Sequence, residues 1–132
     1  MATINTQTSL VMGPHEDRRM TVTFAGSATF AYGTILARDT STNKLVLYVK
    51  GGVANGNGVP AAILLEPNGI TRVGAGDVTG ALVLTSGKVR LDKLIIAADG
   101  NSSNIDTTVM DLLQSKNISV TSVLDHAVAN NF

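Results

Sequence analysis

The chain has 132 residues, 44% of them hydrophobic, which excludes general disorder and sets a single domain as the expectation. Lys and Arg number 10, as do Asp and Glu, so the basic excess that drives phosphate contact or attraction to an anionic membrane is missing. Cysteine is absent, which removes disulfides and thiolate metal sites.

Met1 to Leu10 has neither the basic start nor the apolar stretch of a signal peptide. Residues 1–20 are polar and aperiodic, with Gly13-Pro14 as a breaker and Glu16-Asp17-Arg18-Arg19 as a self-neutralising cluster. They read as a flexible N-terminal arm, followed by one β-rich domain over 21–132. Met20, Val22 and Phe24 alternate with Thr21, Thr23 and Ala25, the period of a half-buried strand. A short run, Thr29 to Ala31, follows. Thr34–Arg38 and Lys44–Val49, around the polar connection 39–43, predict a hairpin.

Lys50 to Val59 reads as a Gly/Asn loop, and Ala61–Leu65 as a buried strand. Such apolar runs fall far short of the roughly 18 residues of a membrane span. Glu66-Pro67-Asn68-Gly69 predicts a turn with Glu66 exposed. After a Gly-rich stretch to Gly76, Val78–Leu84 reads as a strand that Ser86-Gly87 turns into a second one, Lys88–Leu91. Asp92–Ile96 predicts a bend or one helical turn. After the loop Asp99–Ser103 comes a single short helix. Asp106 can cap it, Val109, Leu112 and Leu113 share a face, Lys116 falls in its last turn, and Asn117 suits the left-handed cap. Ile118–Thr121 alternates again. The predicted fold is mainly β with one short C-terminal helix, an α+β domain with a core of Val, Leu, Ile and Ala.

Candidate chemistry is sparse. His15 and His126 each lack a second His at ligand spacing. No Ser sits in a nucleophile elbow. Gly56, Gly58 and Pro60 do not open a helix, so they make a poor phosphate loop. Asp99 to Asp106 fails the calcium-loop pattern at Asn104 and Met110. No catalytic residue, cofactor or metal is nominated.

Several segments, in order, resemble a known family. They are Gly33-Thr34-Ile35-Leu36, Asp39 to Val46, Pro60 to Leu65, Val83 to Arg90 with Asp92-Lys93-Leu94, and the helix with Leu112-Leu113 followed by Asn117-Ile118-Ser119-Val120. Together they are similar to head-decoration protein D of lambda-like tailed bacteriophages. The tail from Thr121 to Phe132 extends past the end expected of many members, and residues 1–20 show no signature that matches residue by residue. The resemblance implies a structural virion protein, made in the host cytoplasm and placed on the outer surface of the phage head. It implies a homotrimer on three-fold and quasi-three-fold positions of the expanded capsid, bound to the major capsid protein and bracing it against internal DNA pressure. It implies no enzyme activity, no direct nucleic-acid contact and no membrane.

Within the arm, Thr3, Ile4, Thr6, Thr8, Leu10 and Val11 alternate enough to add a strand to an exposed sheet edge, and are the expected capsid-binding residues. Two other readings separate cleanly. A glycan-binding β-module needs exposed rings, and only Phe24, Phe30, Tyr32, Tyr48 and Phe132 are available. A small hydrolase needs a deep polar pocket around clustered Asp, Glu or His.

Overall fold

The structure is a computed structural model and describes residues 10–121. Eight strands and one α-helix run in the order β1 (Glu16–Phe24), β2 (Ala28–Phe30), β3 (Ile35–Arg38), β4 (Leu45–Leu47), β5 (Pro60–Leu64), β6 (Ile70–Arg72), β7 (Gly76–Arg90), α1 (Thr107–Gln114) and β8 (Ile118–Thr121). A 3-10 turn, Leu91–Lys93, follows β7. The sheet order is β1-β4-β3-β5-β7-β8, and β1 also pairs antiparallel with β7. The first five strands therefore close on themselves as a small barrel, with β8 added parallel to the far end of β7. β2 and β6 form a separate antiparallel ribbon.

Alternation along the strands explains the composition. Val22, Phe24, Leu36, Leu45, Ala62, Leu64, Ala81 and Val83, one set from each barrel strand, form one buried cluster inside the closed sheet. Phe30 joins it from the β2–β6 ribbon, its ring stacked on Phe24 with centroids 4.0 Å apart. The opposite faces of β3, β5 and β7 carry Ile35, Ala37, Ile63, Leu65 and Leu84. These pack under Val109 and Leu113 of α1, with Ile118, Leu94, Ile96 and Leu10. Burial on both faces is why Ala61–Leu65 reads as an unbroken apolar run.

The hairpin is present as β3 and β4, paired Leu36↔Leu47 and Arg38↔Leu45. Its turn is held by Asp39, whose carboxylate accepts from the Ser41 and Thr42 amides and the Ser41 hydroxyl, while Asn43 takes φ 65°. Three details differ from expectation. Ser86-Gly87 is not a hairpin turn: β7 continues through it for 15 residues. Gly87 sits at φ +142°, a conformation L side chains rarely adopt; its amide donates to the Asn117 carbonyl at 3.0 Å, and a Cβ there would lie 2.7 Å from His15 Cβ. Gly is used there for close approach, and from that point on β7 pairs with β8 on one edge and, a residue further on, with residues 10–12 on the other. The Gly-rich stretch before Gly76 hides β6, and Glu66 is half-buried, its Oε2 accepting from the Leu82 amide at 2.8 Å.

Asp106 caps α1 as expected, accepting from the Val109 amide at 3.1 Å, and Asn117 adopts φ 66°. Lys116 lies beyond the C-cap Ser115, outside the last turn. Lys50 Nζ reaches the same Asp106 carboxylate at 2.9 Å. That hydrogen bond first, and the Val109 amide second, hold Asp106 below its ordinary value of 3.8. A folded-state value lowered in this way stabilises the fold above the unfolded value and stops doing so as pH falls through the folded one. The stability gap between the natural chain and Asp106→Ala should therefore be constant near neutrality and shrink as acid unfolding is followed below pH 3.8.

Gly33 offers a sharper test. It sits at φ +92°, donates to the Leu64 carbonyl and accepts from the Ile95 amide, and a Cβ would lie 2.2 Å from the Lys93 carbonyl oxygen. Gly33→Ala is expected to cost about 2 kcal/mol or more, read as a lowered urea midpoint.

Candidate functional site: the N-terminal contact segment

The predicted contact residues divide in the structure. Thr3, Ile4, Thr6 and Thr8 lie outside the described residues. Leu10 and Val11 do not project from the domain but lie against it. The Leu10 side chain is fully buried among Val89, Leu94, Leu113 and Ile118, so it is unavailable to a partner. Its carbonyl accepts from the Arg90 amide at 2.9 Å, Val11 bridges antiparallel to Val89, and the Met12 amide donates to the Lys88 carbonyl at 2.8 Å. Residues 10–12 are thus one more short strand on the end of β7, on the edge opposite β8. Gly13 at φ 105° and Pro14, which has no amide to donate, end that pairing.

β1 begins at Glu16, inside the segment read as an arm, and pairs with β7 from Glu16↔Ser86 to Phe24↔Gly76. The charge cluster there is not neutralised by neighbours along the chain alone. Asp17 faces His15 at 3.4 Å, whereas Arg19 crosses to Glu66 at 3.7 Å and to the Gly80 carbonyl at 2.9 Å. His15 is exposed and its Nδ1 lies 3.2 Å from the Gly13 carbonyl, a loop-fixing contact. His126 lies outside the described residues.

A second surface stands out by its apolar character. Val49, Val53 and Val59 are 43%, 96% and 43% exposed, all on or beside the loop 50–59. The loop is ordered by main-chain bonds, Val49 to Asn57, Thr40 to Asn55 and Gly52 to Val49, all at 2.8–2.9 Å. Between Lys50 and Glu66 there is no charged residue. Sequence reading missed this surface because a Gly/Asn loop carries no periodic signal. Three valines in so polar a setting were the available hint.

Other arrangements are accounted for internally. The Asn101 side chain accepts from the Ser103 amide and Asp106 caps the helix, so the oxygen-rich stretch 99–106 serves its own backbone. Among the described residues no group of three His, Cys, Asp or Glu is placed to hold a metal ion. No described helix is long and apolar enough to cross a membrane. Phe24, Phe30 and Tyr48 are buried, which removes three of the rings a sugar platform would need.

A segment anchored through Leu10 should detach when that anchor is made polar. Leu10→Asp is expected to raise the hydrogen-exchange rates of the Met12 and Arg90 amides, with the β1–β7 ladder still protected. Equal loss of protection in both places would mean that the segment and barrel open as one unit.

The comparisons with known proteins point one way. A family model described as bacteriophage lambda head decoration protein D matches residues 3–128. The match takes in both the N-terminal segment and most of the tail beyond Thr121, the two stretches where the resemblance was least legible. No curated protein matches the chain.

Proposed function

The chain belongs to the bacteriophage lambda head decoration protein D family and is therefore a structural protein of the phage capsid, and from that premise we propose how it acts there. The family is structural and not a family of enzymes. In our reading the protein binds the outer surface of the expanded head as a homotrimer, at three-fold and quasi-three-fold positions. It holds the major capsid protein subunits together against the pressure of packaged DNA.

The observation that carries this reading is the rooting of the N-terminal segment on β7. Residues 10–12 are extended and hydrogen-bonded antiparallel to Lys88–Arg90, with Leu10 buried as an anchor. The arm proper is then residues 1–9. Thr3, Ile4, Thr6 and Thr8 would add a strand to an edge of the major capsid protein, where main-chain hydrogen bonds give affinity without net charge. Ordering those residues costs conformational entropy, so one arm binds weakly. Three arms on one trimer raise the effective concentration of each remaining arm once the first is bound. A protein that binds only the expanded shell stabilises that shell by mass action, by roughly 2.7 kcal/mol per site at a hundred times the dissociation constant.

The valine-bearing loop supports self-association as the trimer contact. Around a symmetry axis identical residues meet, so a charge there faces its own copies, whereas the uncharged stretch 51–65 does not repel itself. Val53, exposed at 96%, gains most from such a contact.

Deletion of residues 1–20 is a poor test, because it also removes Leu10 and the start of β1. Deletion of residues 2–9 is the better one. The shortened protein should sediment as a trimer with the same urea midpoint as the natural chain, yet fail to coat expanded, undecorated heads. Full coating by the shortened protein would sink the arm mechanism, and a monomeric natural chain would sink the trimer.

A further inference from the structure

We propose that a cleft beside Gly87 of β7 is a docking groove for an acidic peptide segment of a partner protein. The cleft has a volume of about 670 Å³ and is open to solvent. Arg18 reaches it from β1, Arg38 from the end of β3, and Lys116 from just past α1. Glu16 is the sole carboxylate on its lining. A chain with no net charge therefore carries a local excess of positive charge here.

Lys44, Lys50, Arg19 and Arg90 each have a carboxylate within 4 Å, at Asp77, Asp106, Glu66 and Asp92. Among the described residues Arg18, Arg38 and Lys116 have none, nor do Arg72, Lys88 and Lys93, and of these six the first three line the cleft. Arg38 spends one donor on the Asn43 carbonyl at 3.0 Å, while the side chains of Arg18 and Lys116 are exposed and make no hydrogen bond among the described residues. The barrel brings together cations that it does not itself neutralise. Ser86 and Gly87 of β7 also line the cleft.

Guanidinium groups take carboxylates through two parallel hydrogen bonds, and a lysine adds a point charge. An extended peptide in the groove would present alternate side chains to these groups. Residues 1–9 contain no acidic residue and 122–132 contain only Asp125, so neither stretch supplies an acidic segment for the groove. Nucleic acid fits less well, since the chain has no net positive charge to draw in a long phosphate backbone.

The test uses the full chain with poly-L-glutamate at low ionic strength, followed by amide chemical shifts. Binding should move Thr85, Ser86, Gly87 and Asn117, and should weaken about tenfold both at physiological salt and in the double variant Arg18→Gln/Lys116→Gln. The conservative double variant Arg18→Lys/Lys116→Arg should keep most of the affinity. Shifts confined to other residues, or unchanged affinity in the Gln variant, would overturn the proposal. So would tighter binding of a single-stranded oligonucleotide at the same amides. Because the probe is a peptide and not a phage head, this outcome is read independently of whether the protein coats shells.

Discussion

The barrel closes through the antiparallel pairing of β1 with β7, and β7 then runs on past the closure. Without that pairing, β1 would touch the sheet only through its single parallel register point with β4, Val22↔Leu45. Closure removes two edges that would otherwise present unpaired amides and carbonyls to other chains. The overhang of β7, from Gly87 to Arg90, is where the remaining edges are used: β8 lies on one side and residues 10–12 on the other. One strand thus fixes both the interior of the barrel and the root of the segment argued to reach the shell. Gly87, where β7 runs past the closure, also lines the cationic cleft.

Two cores follow from that geometry. The inner one is walled by all five barrel strands, and the outer one lies between β3, β5, β7 and the helix. Strands shared by both must be apolar on both faces, and aliphatic side chains of modest size suit a barrel too narrow for many rings. Ala62 and Ala81 are small members of the inner cluster, and the stacked pair Phe24 and Phe30 ties the β2–β6 ribbon to it. Few aromatics are therefore needed, and those present are mostly consumed by packing.

Much of the fold was legible because it is written in local rules. The alternation of Met20, Val22 and Phe24, the Asp39 turn, the Asp106 cap and the left-handed Asn117 each depend on residues close in sequence. What escaped depends on partners far along the chain. Ser86-Gly87 has the composition of a turn, and only the approach of His15 and Asn117 makes it a point where a strand must be bare. β6 is three residues long and exists because β2 is there to pair with it. Leu10 looked like part of a polar arm because nothing around it in sequence predicts that Leu113 and Ile118 will cover it. Lys116, read as a helix-dipole cation, gains its significance from Arg18 and Arg38, which are far away in sequence.

Thr121 pairs with Arg90 across one edge of β7, and the Leu10 carbonyl takes the Arg90 amide across the other. The two limits of the described chain therefore stand about 10 Å apart, two strand spacings, with a single strand between them. A linker of a few residues suffices to bridge such a gap. A chain spanning the described residues is consequently well suited to circular permutation: a linker could join Thr121 to Leu10 and new ends could open in the 50–59 loop, with every barrel pairing retained.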